Sequence, residues 1–479
     1  MKFGSYHSNF IEIRFNWLVL VQCLCFSVLY AVWVLPGTIA LRNICLGLGA
    51  LLSVYPIYQA RHFFFKREAI PIWLLIGLFI WAIFHLLLLS QNPVLQYEEF
   101  ISIWKYAFIG AVFAFGFGIT LSTAIDANSG DCRTAIKNRL NWKASKVISY
   151  LGLFFPTAIY LIKSCLAAYG SHLGITIPNA LLLHASPNHY YIAKTAYVCF
   201  CIPILSISLS LLYENIINRR WFSPMNLVNI LSIMSVFWVF NKENIKNGFV
   251  CGLFLIIIFC VRVAIMELKE HFLTKAILIF FTATACIFLL SVHIHKNESW
   301  RSFPADIKIA WQTDQYPQWK FSGRQGYPVN ELGITVSVTN YERIAWAKEG
   351  GKLIIQNPLG YGLVERSFGK LSTRQWPGTS LTQSHSGWID LCLGIGIPGL
   401  ILIFVALFSV LADLSTHQST CSWVGECMRW VLLALFFMWF TTEISQKVYF
   451  DNLIFWLSLG AGLTLRSKIH KPQFSTLAN

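Results

Sequence analysis

The sequence predicts an all-α integral membrane protein with about twelve transmembrane helices and one large hydrophilic loop before the last three helices. Composition is the first reason. Of the 479 residues, 56% are hydrophobic and only 12% are charged, and the mean hydropathy is +0.57. A water-soluble core of this size could not bury so much apolar surface, so lipid must be the solvent.

The second reason is that apolar stretches recur along nearly the whole chain. About 20 consecutive apolar residues are needed to cross the hydrocarbon core of a bilayer. The stretches are continuously apolar and do not alternate, which excludes the strands of a membrane barrel. The predicted spans are 16–35, 38–58, 71–91, 103–124, 147–168, 191–212, 225–240, 248–267, 275–294, 387–411, 427–445 and 452–467.

The third reason is that basic residues cluster in alternate connections between the predicted spans. The connection at 92–102 contains Glu98 and Glu99 but no Lys or Arg, and 169–190 has no basic residue except histidine. By the positive-inside rule both termini are cytoplasmic, and the hydrophilic segment 296–386 lies outside the cytoplasm. The net charge of +15 therefore marks topology and not a nucleic-acid partner. The basic clusters contain Arg61, Lys66, Arg67, Arg133, Lys137, Arg139, Lys143, Lys146, Arg219, Arg220, Arg466, Lys468 and Lys471.

Cysteine usage and the first residues add two expectations. None of the 13 cysteines lies between 296 and 386, so the external loop has no disulfide framework. No CxxC or Cys/His cluster indicates zinc. The N-terminal apolar run lacks a cleavage pattern and is interpreted as a retained span.

The predicted organisation is a single membrane domain with one insertion. No sequence repeat relates the two halves. Residues 1–295 contain the first nine spans, 296–386 form the large loop, and 387–479 contain the last three spans and a cytoplasmic tail.

The external loop is predicted to be folded, because linkers are poor in aromatic residues. Its second half, 341–356, has a helical periodicity of apolar residues and is predicted to be an amphipathic helix. Asn357 and Pro358 end that helix, and Gly360 and Gly362 allow a tight turn. The aromatic residues of the first half are Trp300, Phe303, Trp311, Tyr316 and Trp319, and the apolar face of the helix is predicted at Ile344, Ala347, Gly351, Ile354 and Ile355.

Two cations on the external side are candidate phosphate contacts. Arg343 lies on the predicted helix of the loop, and a guanidinium group can donate two hydrogen bonds to phosphate oxygens. Lys246 lies in a short turn at the start of a span, where the helix dipole also favours anions. Each has a simpler alternative, since Arg343 fits a solvated helix face and Lys246 fits an interfacial anchor.

His385, just before the tenth span, is the candidate proton acceptor. An imidazole titrates near neutral pH and can take a proton from a hydroxyl group. The alternative is a hydrogen-bonded interfacial histidine. Further candidates for orienting His385 or binding polar groups of a substrate are Asn340, Glu342, Gln383 and Asp390.

The strings YERIAWAKEGGKLIIQNPLGYGLVERSFG and SLTQSHSGWIDLCLGIGIPGLILIF resemble the signature region of the O-antigen ligase family. The shared pattern is an Arg a few residues before Trp, an Asn-Pro-Leu-Gly-x-Gly turn, and a His at the start of a span with Gly-x-Gly-x-Pro-Gly. The resemblance covers about 340–405, and the layout of twelve spans with one external loop agrees with the family architecture.

The resemblance implies a role for each candidate. Arg343 matches the family's loop arginine, which engages the donor diphosphate, and His385 matches the family histidine, which acts as base or positions the acceptor. The family's second arginine is replaced here by Lys246, which keeps the charge and loses the bidentate grip. Glu342, Gln383 and Asp390 become candidate contacts of the sugar or the acceptor.

The implied reaction is a metal-independent, inverting glycosyl transfer at the periplasmic face of a Gram-negative inner membrane. The donor glycan is carried on undecaprenyl diphosphate and the acceptor is the lipid A–core oligosaccharide. Membrane lipids are the other partners, and neither a cofactor nor nucleic acid is expected. The external loop has no Asp-x-Asp pair for a metal.

Two kinds of alternative stay open. An O-antigen polymerase or a protein O-oligosaccharyltransferase of the same superfamily would have the same spacing of residues. A flippase or transporter of lipid-linked sugars also fits twelve spans, although such folds usually have internal repeats and charged helices at the membrane midplane. Here the intramembrane charges are few, and Lys163 and Lys194 lie near span ends.

Overall fold

The computed structural model describes residues 4–35, 37–129, 135–170, 172, 174, 176–178, 181–183, 194–267, 272–295, 298–416, 423–442 and 447–466. Over these residues the fold is helical without any strand, and one antiparallel bridge joins Val329 and Thr335. The helices are α1 (Gly4–Val32), α2 (Ile39–Gln59), α3 (Ile70–Phe84), α4 (Pro93–Glu99), α5 (Lys105–Ser129), α6 (Ala135–Tyr169), α7 (Lys194–Ile217), α8 (Pro224–Lys242), α9 (Lys246–Glu267), α10 (Phe272–His295), α11 (Glu298–Arg301), α12 (Phe303–Trp311), α13 (Val338–Gln356), α14 (Ser367–Gln375), α15 (Gly387–Thr416), α16 (Trp423–Met438) and α17 (Lys447–Arg466).

Nine helical stretches among the described residues are long and apolar enough to cross a membrane. The prediction of an all-α, multi-pass membrane protein is therefore confirmed. The other three predicted spans, 16–35, 275–294 and 427–445, overlap α1, α10 and α16, which do not meet that criterion over the described residues. The nine stretches are Ile39–Gln59, Arg67–Leu89, Pro93–Ile125, Asn141–Tyr169, Val198–Ile217, Pro224–Lys242, Lys246–Ile265, Gly387–Ser415 and Val448–Leu465.

The last helix, α17, lies at the centre of the bundle of long helices, and its apolar stretch is buried inside the protein. It packs closely against α5 because glycines meet at the contact. A Cβ atom on Gly462 would collide with the carbonyl oxygen of Phe115, and one on Gly118 with that of Leu459. Such close approach of backbones stabilises helix pairs in lipid, where burial of apolar surface between helices gains little.

Between α10 and α15 the chain forms a compact unit, which we call the insertion (residues 298–386). Its hydrophobic core is separate from that of the long helices and is built around Trp319, Trp346 and Phe368. The indole nitrogen of Trp346 donates to the carbonyl oxygen of Trp319 at 3.1 Å, and that of Trp319 donates to Thr313 at 3.0 Å. The large aromatic side chains of the insertion are therefore ordered by packing and by satisfied polar edges.

The insertion is joined to the membrane bundle where α15 is broken. Gly396 has φ 72° and ψ 175°, so the regular hydrogen bonds of α15 are interrupted there. The turn after α13 replaces them, since the backbone nitrogen of Tyr361 donates to Leu393 at 2.7 Å and that of Gly362 donates to Gly394 at 2.8 Å. Irregular backbone among membrane helices requires such partners for its polar groups.

A second junction holds the insertion to α4. The carboxylate of Glu99, which is 8% exposed, accepts hydrogen bonds from the backbone nitrogens of Val364 at 2.9 Å and Glu365 at 2.8 Å. Gly362 has φ 102°, and a Cβ atom there would collide with the side chain of Gln96. Together the two junctions fix the height and direction of α13 above the bundle.

The predicted apolar face of the loop helix is correct only in part, since Ile344 and Ile354 pack against the core of the insertion. The helix itself exists and begins three residues earlier than predicted, at Val338. Ala347 and Ile355 are exposed, whereas Trp346 and Glu349 are buried. Glu349 can be buried because it accepts hydrogen bonds from Thr313 at 2.6 Å and from Lys352 at 2.8 Å. Because a carboxylate with hydrogen-bond partners can be buried, polarity alone does not identify which face of the helix packs against the insertion.

Candidate functional site

A cavity of about 600 Å³ lies between the insertion and the ends of two long helices, α9 and α16. Its volume is within the range of roughly 300–1,000 Å³ that is typical of ligand sites. The insertion contributes residues of α11, α12, α13 and the segment before α15. The lining residues are Lys246, Asn247, Val250, Cys251, Phe254, Trp300, Phe303, Trp311, Thr339, Asn340, Arg343, Ile344, Ala347, Ser384, His385, Ser386, Phe437, Met438, Phe440 and Thr441.

Four sequence-predicted residues line this cavity. Asn340 is one, and the other three, Lys246, Arg343 and His385, come together from positions up to 139 apart in the sequence. Each comes from a different element: Lys246 is the first residue of α9, Arg343 lies in α13, and His385 precedes α15. Of the lining residues that the structure describes, none is acidic. The described wall therefore contains basic side chains and no acidic one, which favours an anionic ligand, and the buried carboxylate of Asp306 behind it also attracts the Lys246 ammonium.

Lys246 is held at the cavity end of α9. Its ammonium group donates to the hydroxyl of Ser299, and it lies 5.5 Å from the ring centroid of Trp300. Both partners belong to α11, so the lysine joins the membrane helix to the insertion. At the first turn of α9 an ammonium group lies beside backbone N–H groups that have no partner within the helix, which adds to the attraction for anions.

Arg343 faces the cavity because of its place on α13. Thr339, Asn340, Ile344 and Ala347 line the same wall, and their spacing of three and four residues defines one side of a helix. Arg343 is half-buried, and its charge interacts with that of Lys246. Two cations held near each other create a site that is completed by a ligand with more than one negative charge.

The start of α13 is fixed by Asp306, a residue that the sequence analysis did not single out. Asp306 is fully buried in α12. Its carboxylate accepts hydrogen bonds from Asn340 at 2.9 Å, from Asn330 at 2.9 Å, from Ser302 at 2.7 Å and from the backbone of Ser337 at 3.2 Å. No local motif marks this aspartate, because its partners lie as far as 34 residues away.

His385 lies in a turn that is strained for its residue type, with φ +57°. Its ring stacks on that of Trp346, with centroids 5.1 Å apart and an angle of 13° between the planes. The neighbouring serines close the turn, since Ser384 and Ser386 exchange hydrogen bonds at 3.1 and 3.2 Å. Strain of this kind persists where the surroundings determine one conformation, and it is frequent at functional sites.

Glu342 does not line the cavity but lies behind it. It is 8% exposed and accepts a hydrogen bond from the hydroxyl of Tyr327 at 2.8 Å. Burial raises the pKa of the Glu342 carboxyl above its ordinary value, while the hydrogen bond from Tyr327 and the charge of His385 oppose the rise. Glu342 and Trp346 are four residues apart on α13, so one side of this helix supports His385.

The other two predicted substrate contacts also lie outside the cavity wall. Asp390 is buried and its carboxylate accepts a hydrogen bond from the backbone nitrogen of Ser384 at 2.8 Å. It therefore holds the turn that carries His385. Gln383 is half-buried and does not line the cavity.

The membrane side of the cavity is apolar and was not predicted from sequence. Val250 and Phe254 of α9 face Phe437 of α16, and the rings of Phe254 and Phe437 are 4.5 Å apart. Within the spans these residues resemble any other lipid-facing position, so no sequence signal identified them. The site thus has a cationic part at the ends of the helices and an apolar part between them.

Neither the family models nor the curated proteins compared with this chain give a match. Among the described residues, no group of three or more His, Cys, Asp or Glu is placed to hold a metal ion. The resemblance to the O-antigen ligase family thus depends on the sequence pattern within about 340–405.

Proposed function

We propose that this protein is an O-antigen ligase, a glycosyltransferase that moves a glycan from undecaprenyl diphosphate to the lipid A–core oligosaccharide. One observation supports this above the others. A single cavity contains Lys246, Arg343 and His385 without an acidic lining residue among those described, and it continues between apolar helices.

The two parts of the cavity fit the two parts of such a donor. A diphosphate carries two to three negative charges, which Arg343 and Lys246 neutralise, and the guanidinium donates two hydrogen bonds to phosphate oxygens. A polyprenyl chain needs an apolar path to the bilayer, which Val250, Phe254 and Phe437 provide. Binding of the donor at the membrane surface would explain why the positive charge of Lys246 lies at the end of α9 and not at the middle of a span.

The reaction proposed is an inverting displacement. A hydroxyl oxygen of the acceptor attacks the anomeric carbon and forms the new glycosidic bond, while the bond from that carbon to the diphosphate oxygen breaks. His385 takes the proton of the hydroxyl, and the lipid diphosphate leaves with the electron pair of the broken bond. Arg343 and Lys246 stabilise the charge that grows on the leaving oxygen.

The proposed topology has twelve spans, both termini in the cytoplasm and the insertion in the periplasm of a Gram-negative cell. The alternate basic connections support this orientation. Impermeant maleimide labelling of intact cells tests it with Gln325→Cys in a background where Cys132, Cys165 and Cys421 are replaced by Ser, because Gln325 and Cys165 are exposed and the other two cysteines lie outside the described residues. Labelling only after the inner membrane is broken would place the insertion in the cytosol and remove the proposal.

The activity is tested with the full chain in lipid nanodiscs. The donor is undecaprenyl-diphosphate-linked O-antigen and the acceptor is lipid A–core oligosaccharide. We expect the acceptor to gain the glycan, seen as slower bands on a gel. Longer lipid-linked chains would instead identify a polymerase, and glycosylated Ser or Thr peptides would identify a protein O-oligosaccharyltransferase.

Deleting the gene in its host separates the same alternatives. Loss of a ligase leaves long lipid-linked chains and bare core, whereas loss of a polymerase leaves core with one repeat unit. An unchanged lipopolysaccharide pattern, together with no consumption of donor in nanodiscs, would contradict glycan transfer to lipopolysaccharide and leave transport of lipid-linked sugars as the better explanation.

A further inference from the structure

Trp311, the last residue of α12, is the most exposed aromatic side chain of the insertion that lines the cavity. It is 59% exposed, although a tryptophan buries a large apolar area when it packs. Its backbone oxygen accepts a hydrogen bond from the ammonium of Lys348 at 2.7 Å, and that ammonium lies 5.8 Å from its ring centroid. Lys348 therefore holds the backbone of Trp311 and leaves more than half of its side chain exposed.

Trp300 differs from Trp311 in this respect. It lies under Lys246 and stacks edge-on against Phe303, with centroids 5.9 Å apart. Trp300 is half-buried by these contacts, whereas Trp311 also lines the cavity and keeps most of its side chain accessible. The two tryptophans thus mark two different ends of one wall.

The order of residues along α13 shows which end is which. Asn340 donates to the carbonyl oxygen of Ser299, the residue whose hydroxyl binds Lys246, so the start of α13 is the Lys246 end. Lys348 binds Trp311 at the other end. Five residues separate Arg343 from Lys348, which is on the order of 7 Å along a helix. Trp311 therefore lies toward the end of α13 that is away from Lys246, beyond Arg343 along the helix.

The geometry points to Trp311 as a stacking platform for a pyranose ring of the glycan, next to the diphosphate bound at Lys246 and Arg343. This inference rests on the proposed function, since it places the sugar directly next to the diphosphate to which it is bonded. The apolar face of C–H groups on a pyranose lies against the negative face of an indole. Lys348 adds a cation beside the ring that can donate to sugar hydroxyls or to an acidic sugar.

Binding to two lipids tests the platform in nanodiscs that contain the full chain. One lipid is undecaprenyl diphosphate without sugar, and the other is undecaprenyl diphosphate with a single N-acetylhexosamine. We expect Trp311→Ala to weaken binding of the sugar-bearing lipid by about 3- to 10-fold, the size of one aromatic contact, and to leave the bare lipid unchanged. Trp311→Phe should retain most of the affinity.

Trp221→Ala is the matched control, because Trp221 is 57% exposed and does not line the cavity. It should change neither affinity. An equal loss for both lipids in Trp311→Ala would assign Trp311 to anchoring at the headgroups and overturn the platform, as would no loss for either. If the wild-type protein binds neither lipid, the proposed function itself fails, so the two failures are distinguishable.

Discussion

The turn at 357–362 lies in the sequence between two residues of the cationic cavity, Arg343 and His385, yet the two regions do different work. Arg343 and His385 present side chains to an open cavity. Gly360 and Gly362 present backbone to the break in α15, and a Cβ atom on Gly360 would lie 2.5 Å from the backbone of Gly394 and Gly396. The same stretch of sequence therefore contains side chains suited to chemistry and glycines that no other residue can replace.

The comparison predicts that the two regions fail in different ways. Substitutions of Arg343 or His385 should abolish activity and leave a folded protein, because both side chains lie on the wall of the cavity and not in the hydrophobic core. Substitutions in the turn or at the break should destabilise the protein, because they separate the insertion from the membrane bundle. His385 and Arg343 test the cavity and Gly396 tests the break in α15. Glu342, which is buried behind the cavity, tests a residue between the two regions.

The largest expected effect is that of His385→Asn. Asparagine tolerates the left-handed backbone at this position, so the turn is kept while the base is lost. We expect the rate of glycan transfer in nanodiscs to fall by roughly 10²- to 10⁴-fold, with an unchanged melting temperature. His295→Asn, at an exposed histidine away from the cavity, is the control. Retention of most of the activity would remove His385 from the reaction.

Arg343→Ala is expected to lower the transfer rate by roughly 10²- to 10³-fold, the loss seen when one group that stabilises developing charge is removed. Arg343→Lys keeps the charge without the planar fork and should restore only a small part of the rate. The control is Arg324→Ala, at an exposed arginine of the insertion that does not line the cavity. Near-normal turnover of Arg343→Lys would show that charge alone suffices, as Lys246 already suggests for its own position.

Sequence patterns predicted the helical membrane class and the approximate position of every long helix, because runs of about 20 apolar residues have one physical explanation. They also identified Lys246, Arg343 and His385, which the fold brings into one cavity. Hydropathy could not settle the number of spans. The 16 residues of α16 cover about 24 Å at 1.5 Å per residue, less than a bilayer core of about 30 Å.

Of the four polar residues predicted to bind substrate or orient His385, Asn340 lines the cavity, whereas Glu342, Gln383 and Asp390 do not, for a physical reason. Glu342 and Asp390 are polar residues in the right stretch, but both are buried and accept hydrogen bonds from within the insertion. Their partners are Tyr327, 15 residues away, and the backbone of Ser384. Which side of a helix faces a cavity depends on what packs against the other side, and this information lies in distant parts of the chain.

Gly396→Ala should destabilise the protein by about 2–4 kcal/mol, since it combines an unfavourable φ with a collision against the backbone of Leu359. We expect a lower melting temperature in detergent and a loss of activity that parallels the loss of folded protein. Gly351→Ala is the matched control, because it lies inside α13 with open space around it and should stabilise the helix by up to about 1 kcal/mol. Equal stability of the two variants would mean that the break in α15 is not under the constraint described.

The smallest expected effect is that of Glu342→Gln, which tests the border between the two regions. The carboxyl is buried like a structural residue, yet its charge interacts with His385. A nearby carboxylate favours a protonated imidazole, and transfer needs the neutral form. Removing the charge should move the acidic limb of the pH–activity profile to lower pH. The positive charges of Lys246 and Arg343 on the cavity wall act in the same direction and are unchanged.

The maximal rate of Glu342→Gln should fall modestly, because the imidazolium that forms during transfer loses a stabilising charge. Tyr327→Phe separates this effect from a structural one. That variant removes the hydrogen bond to Glu342 at 2.8 Å, which helps to keep the carboxyl ionised, so the pKa of Glu342 should rise further. Any shift of the acidic limb should therefore be toward lower pH and smaller than in Glu342→Gln. A larger shift in Tyr327→Phe than in Glu342→Gln would mean that α13 has moved. An unchanged pH–activity profile for Glu342→Gln would show that Glu342 has only a structural role, like the glycines of the turn at 357–362.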